Sequence, residues 1–201
     1  RLPQEKQRLV LGMYGPQNDF YALKGVVEAV MKAAGIRQYE ISPADDNPSY
    51  HPGRCAKLTL SGKLLACFGE VHPAVLTRCS IEQRVCCADI DFDALFANRN
   101  LNKAYQPLPK YPAAERDLAL ICDKNTPSAV LADAIQAAAG PLLESIRLFD
   151  VYEGAQLPQG KKSLAYHLIL RCQDRTLNDE ETDVIIQKII AELGRINVLL
   201  R

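Results

Sequence analysis

The hydrophobic positions change period several times along the first hundred residues. Leu9 to Met13 is a short apolar run of strand character. From Asp19 the spacing becomes helical, with Phe20, Leu23, Val27, Val30 and Met31 on one face and Gly35 as the stop. Tyr39 to Ile41 reads as a short strand. Residues 49–73 alternate on both sides of Ser61-Gly62, which predicts a β-hairpin, and His72-Pro73 opens a short helix. Val85 to Phe92 forms a last strand that runs into a helical turn over 93–97. Mostly antiparallel α+β is the implied class.

The second hundred residues are more regular. Glu115 to Asp123 is a strand, and Thr126-Pro127 supplies the cap and first position of a helix ending at Gly140. Leu142 to Tyr152 and Ser163 to Cys172 are two strands joined by the loop 153–162. Thr176 to Asp179 has capping-box spacing. Asp179, Glu180 and Glu181 then suit the dipole of a helix that buries Ile185, Ile189 and Leu193, stops at Gly194 and gives way to a fourth strand over 196–201. The order βαββαβ is the ferredoxin-like plan, one four-stranded sheet with both helices on one face and the other face open. Between Asn98 and Pro112 lie three prolines and three asparagines without hydrophobic period. This linker divides the chain into residues 1–107 and 108–201.

Strand parity says what the open face carries. Leu164, Tyr166, Leu168 and Leu170 must cover the helices, leaving Ser163, Ala165, His167, Ile169 and Arg171 on the other side. Likewise Leu118, Leu120 and Cys122 point inward and Ala119 and Ile121 outward, while Phe149 and Val151 point inward and Asp150 and Tyr152 outward. Small residues, one aromatic, a histidine and an arginine, flanked by Lys161, Lys162 and Arg175, make a platform suited to an unpaired base and its phosphates. The same kind of face also serves as a protein-packing surface.

Charge narrows this reading. Lys plus Arg equals Asp plus Glu at 24 each, and the two parts carry 13 basic against 11 acidic and 11 against 13, so no broad positive field exists and any nucleic-acid contact is local. No apolar run is long enough to span a membrane, and the N-terminal residues are too polar for a secretory core. The seven cysteines, at 55, 67, 79, 86, 87, 122 and 172, include no Cys-x-x-Cys pair, and buried thiols in a reducing cytosol are expected. Adjacent Cys86 and Cys87 point to opposite faces of their strand. His51, Cys55 and His72 are the candidate metal or thiol-enzyme residues, but no third group at a recognisable spacing orients them, and structural use of each is favoured; no metal site is assigned.

Several longer motifs stand in fixed order: residues 19–31 (DFYALKGVVEAVM), 50–58 (YHPGRCAKL), 68–73 (FGEVHP), 89–95 (DIDFDAL), 110–120 (KYPAAERDLAL), 148–154 (LFDVYEG), 161–171 (KKSLAYHLILR) and 174–181 (DRTLNDEE). Together they resemble the bacterial phenylalanine–tRNA ligase beta subunit. The resemblance implies a partial class II synthetase-like antiparallel domain over 1–107, followed by a ferredoxin-like anticodon-binding domain over 108–201. It also implies that the chain, which begins at Arg1, is a fragment of that subunit. The family works in the cytoplasm as an α2β2 tetramer with an alpha subunit, using ATP and Mg²⁺ to join phenylalanine to tRNA(Phe). Catalysis belongs to alpha, so no catalytic residue and no bound cofactor is expected here; a class II site needs a Gly-x-Gly-x-x-Arg segment, and no Gly-x-Gly occurs. The family's anticodon contacts correspond to Tyr152, offered to a base, and to Ala119 and Ser163, which shape the patch. His167, Arg171 and Lys162 join them by charge and position.

Other readings stand beside these. Tyr152 can be a half-buried tyrosine bonded to backbone, Arg116 and Asp117 a structural ion pair, and Asp174 to Glu181 helix capping. Residues 51–54 (His-Pro-Gly-Arg) are a structural turn or part of an alpha–beta interface. The competing function is a ferredoxin-like regulatory or protein-interaction domain that binds no RNA. A truncated first domain would leave a sheet edge uncovered, so self-association is expected of the isolated fragment.

Overall fold

Two separate sets of side chains leave water, one around Leu58 and Phe68, the other around Tyr166 and Leu168. They belong to two units, Arg1–Tyr105 and Gln106–Arg201. The computed structural model describes residues 3, 5–102, 105 and 107–201; Arg1, Leu2 and Gln4, and Lys103, Ala104 and Gln106 of the linker, lie outside the described residues.

The first unit is an antiparallel sheet of β1 (Arg8–Tyr14), β2 (Glu40–Pro43), β3 (Tyr50–Leu60), β4 (Lys63–Val71) and β5 (Val85–Asp91), in the order β1-β5-β4-β3-β2. Helix α1 (Phe20–Ala33) starts where the Asp19 carboxylate accepts the Ala22 N–H at 2.9 Å, and it lays Leu23, Val27 and Met31 against Leu58, Phe68, Cys86 and Ile90. Gly35, at φ +72, ends it; the Asn100 carbonyl fills the place a Cβ would take, and the Asn100 N–H donates to the Ala34 carbonyl at 2.8 Å. Ser61 and Gly62 both have positive φ, the two-residue hairpin turn whose twist matches the flanking strands. Two short helices, α2 (Pro73–Arg78) and α3 (Phe92–Ala97), follow β4 and β5. Cys86 packs into the α1-side core, and Cys87 packs on the opposite face beside Cys55 and Cys67.

The second unit runs β6 (Ala114–Asp123), α4 (Ser128–Ala139), a 3₁₀ turn, β7 (Leu143–Tyr152), β8 (Lys161–Leu170), α5 (Asp179–Arg195) and β9 (Leu199–Leu200). Its sheet order is β7-β8-β6-β9, with every pair antiparallel. Leu131 and Ile135 of α4 and Ile185, Ile189 and Leu193 of α5 share one core with Leu118, Leu120, Leu164, Tyr166, Leu168 and Leu170. The inward parity of β6 and β8 therefore holds.

Three local expectations change. Pro127 occupies the N-cap of α4 and makes no side-chain cap bond, while the Thr126 N–H donates to the Asp123 carbonyl, so the chain turns there before the helix starts. The capping box of α5 is Asn178 with Glu181, two residues beyond the Thr176 spacing. Along β7 the pairing register slips between Leu148 and Asp150, so Phe149 sits at a bulge and Val151 returns to the helix side at a sheet edge; the two are 50% and 52% exposed and stand outside the core. Among the described residues no helix is long and apolar enough to cross a membrane.

Candidate nucleic-acid interface

The face of the second sheet away from α4 and α5 is built in rows across three strands. Reading β6, β8 and β7 in register, the rows are Ile121–Ser163–Tyr152, Ala119–Ala165–Asp150 and Asp117–His167–Arg147. β9 adds Leu199 beside Ile121. The first two rows have a floor of small side chains, Ala119, Ala165 and Ser163, between larger neighbours. Flanked by Ile121 and Tyr152, Ser163 is only 2% exposed, so its larger neighbours cover it.

Tyr152 is half-buried at the end of β7. Its ring has two neighbours that strand parity alone did not disclose. The Arg201 guanidinium stands 5.1 Å from the ring centroid, and the Arg201 backbone N–H donates to the Ala119 carbonyl at 2.8 Å. On the hydroxyl side the ring lies against Gly154, where a Cβ would stand 2.5 Å from Cζ. Extending the parity argument to the last strand would have found Arg201, because Ile121 pairs with Leu199 and places residue 201 beside Ala119.

The charged candidates separate from this group. His167 Nδ1 lies 2.6 Å from Asp117 and Nε2 3.6 Å from Glu115, with Arg147 opposite in the register, so the imidazole is engaged by two carboxylates. Arg171 binds Glu144 and donates to the Tyr111 carbonyl, tying the segment ahead of β6 to the end of β8. Lys162 pairs in register with Cys122, on the helix-covered side and not the open one. Burial pushes the Cys122 thiol up, and Lys162 opposes that shift. Lys161, which shares the parity of Ser163, is held 2.8 Å from Asp123. Arg116 pairs with Asp179 at 3.0 Å and Arg175 with Glu181, so both are structural. Tyr152, Ser163 and Ala119 are thus brought together, and Lys162 and Arg171 are not part of the cluster.

A shallow strip with a phenol and a guanidinium at its rim can receive a planar base: each base–aromatic stack contributes about 1–3 kcal/mol, and arginine offers its own flat face. The row beyond it carries Asp117 with Glu115 alongside, which disfavours a phosphate there and leaves the Tyr152 end as the receptive one.

Residues 109–201 match the family model described as the ferredoxin-fold anticodon binding domain, and residues 1–92 match the phenylalanyl tRNA synthetase beta chain CLM domain. The phenylalanine–tRNA ligase beta subunit of Clostridium tetani is 39% identical over 192 residues, covering 96% of this chain and 24% of that protein. The same subunit of Clostridium acetobutylicum is 37% identical over 195 residues, covering 97% and 24%. In Moorella thermoacetica it is 40% identical over 171 residues, covering 85% and 21%. The chain belongs to the phenylalanine–tRNA ligase beta-subunit family. It spans about a quarter of the length of these relatives.

In the part that matches the beta-chain model, residues 51–54 form no turn but lie inside β3, at the register shift between Tyr50 and Cys55, and their polar groups are occupied locally. His51 Nδ1 accepts the Gly53 N–H at 3.1 Å, and Arg54 grips both oxygens of Glu70 at 3.1 and 2.8 Å. An open pocket of about 410 Å³ lies beside this stretch, lined by Asp45, Asn47, Tyr50, His72 and Arg78 among others. His72 caps α2 by accepting the Ala74 N–H. Cys55 Sγ stands 3.7 Å from Cys67 Sγ, and burial pushes the Cys55 thiol up to about 12, the reverse of what a thiolate nucleophile requires. His51, Cys55 and His72 therefore each have a local partner, and among the described residues no three His, Cys, Asp or Glu side chains are grouped to hold a metal ion.

Proposed function

We propose that this chain is the C-terminal part of a phenylalanine–tRNA ligase beta subunit and that its role is to position tRNA(Phe). On this reading residues 1–107 are the noncatalytic class II synthetase-like part and 108–201 the anticodon-binding domain. The observation that carries the reading is the strip Ile121–Ser163–Tyr152 with Ala119 beside it, on the open face of a region that matches an anticodon-binding family. A base of the anticodon loop stacks on Tyr152 above the small floor. Arg201 reaches the same ring and supplies a cation at the rim. The anticodon is held while phenylalanine transfer proceeds elsewhere, so the chain contributes binding and orientation and no bond-making step.

The remaining assignments follow from the family. The partner is the alpha subunit, in an α2β2 assembly in the cytoplasm, and ATP and Mg²⁺ serve the whole enzyme. This chain's donor set does not fit either: it has no Gly-x-Gly segment, and the described residues gather no group of three metal-ligating side chains. No step through ATP or Mg²⁺ is assigned to it. His167 is held by its carboxylate partners in the row beyond the strip, and Arg171 and Lys162 serve the fold.

Tyr152→Ala in the assembled ligase tests the reading. Loss of one stack weakens tRNA(Phe) binding roughly 5- to 150-fold, measured as the dissociation constant. An unchanged constant contradicts the proposed contact.

A further inference from the structure

Resting on the reading of Tyr152 as the stacking residue, we infer that Gly154 is a positioning residue that sets the pose of the Tyr152 ring. The two residues lie two apart, at the point where β7 ends and the loop toward β8 begins. A Cβ built on Gly154 meets the hydroxyl end of the ring first, 2.5 Å from Cζ and 3.1 Å from Cε1 and closer still to the hydroxyl oxygen. Ordinary contact between such atoms begins at about 3.5 Å. The phenol therefore lies in space that only glycine leaves vacant. Gly154 is not among the glycines with positive φ, so its requirement is for room and not for an unusual backbone conformation.

The overlapping atoms are the far end of a side chain, so the ring and not the backbone gives way, and it does so within set surroundings. Arg201 stands over its ring, Ser163 lies directly across in the register, and β7 is paired up to Tyr152 itself. A methyl at 154 shifts the hydroxyl end by about 1 Å or more and swings the ring relative to the floor formed by Ser163, Ala165 and Ala119. A base stacked on the displaced ring no longer lies over that floor, and a stack depends on the overlap of the two planes. Gly154 touches no base in this account; it acts through Tyr152.

The test is a double-variant cycle on the assembled ligase, with the tRNA(Phe) dissociation constant measured for the parent, Gly154→Ala, Tyr152→Ala and the pair together. Gly154→Ala weakens binding roughly 3- to 10-fold, and in the Tyr152→Ala background it changes nothing further. The thermal midpoint of Gly154→Ala stays at the parent value, because no core contact is lost. If Tyr152→Ala weakens binding while Gly154→Ala does not, the positioning role is wrong and the stacking role stands. If Gly154→Ala weakens binding equally with and without Tyr152, the loop acts by another route and the inference is overturned. If Tyr152→Ala is silent, the stacking reading fails and the inference fails with it.

Discussion

Two tyrosines of the second sheet stand in opposite settings. Tyr152 stands half-buried on the open face, whereas Tyr166 in β8 is sealed under α4, its hydroxyl donating to the Ser128 carbonyl at 2.9 Å. Burial pushes the Tyr166 phenol above its ordinary value. The folded state thus keeps the proton at a pH where the unfolded chain loses it, so this stabilisation is complete below about pH 10 and declines as the pH rises further. Tyr166→Phe is expected to cost about 1 kcal/mol at pH 7 from the lost hydrogen bond. It should also reduce the loss of stability above pH 10, and urea unfolding at the two pH values measures both effects. Parity alone made Leu164, Tyr166, Leu168 and Leu170 legible as core. It could not reveal that Arg171 is taken by a carbonyl 60 residues earlier, or that the His167 imidazole is claimed by two carboxylates of β6. Such partners meet only after the strands have found their register.

At the scale of elements, α5 shows how a motif can be read correctly in kind and shifted in place. Thr176 to Asp179 has capping-box spacing, yet Asn178 accepts the Glu181 N–H at 2.8 Å and Glu181 accepts the Asn178 N–H at 3.1 Å. Arg175 closes on Glu181 as well. The Arg175 hydrogen bond, and after it the Asn178 N–H, hold the Glu181 carboxyl below the usual range. The cap therefore contributes fully above the ordinary glutamate value and is lost as the pH falls through the lowered one. Asn178→Ala should lower stability by about 1 kcal/mol at neutral and acid pH alike, because it removes the oxygen that accepts the Glu181 N–H and keeps the backbone N–H that serves the Glu181 carboxylate; thermal unfolding at the two pH values checks it. The β7 edge was the least legible element. Its bulge at Phe149 breaks the alternation that strand reading depends on, and no residue pattern in 143–152 announces an extra residue. The hairpin at Ser61-Gly62 and the stop at Gly35 were legible because each needs a positive φ, which glycine marks locally.

For the whole molecule, equal numbers of acidic and basic residues fit a small contact better than a broad one. Several cations of the second unit are committed to carboxylates: Arg116 to Asp179, Lys161 to Asp123, Arg171 to Glu144 and Arg175 to Glu181. The proposed strip itself offers a nucleic acid shape, one aromatic ring and the arginine beside it. Proline and asparagine between Asn98 and Pro112 predict a division at 107/108, and the compact units are Arg1–Tyr105 and Gln106–Arg201. The proposed role of the chain depends on the anticodon itself being read at Tyr152. The most direct measurement compares the affinity of the assembled ligase for tRNA(Phe) with that for the same tRNA carrying substituted anticodon bases, in the parent and in Tyr152→Ala. The account predicts that the parent discriminates between the two tRNAs and that most of this discrimination vanishes with the ring; an equal discrimination ratio in both proteins would contradict it.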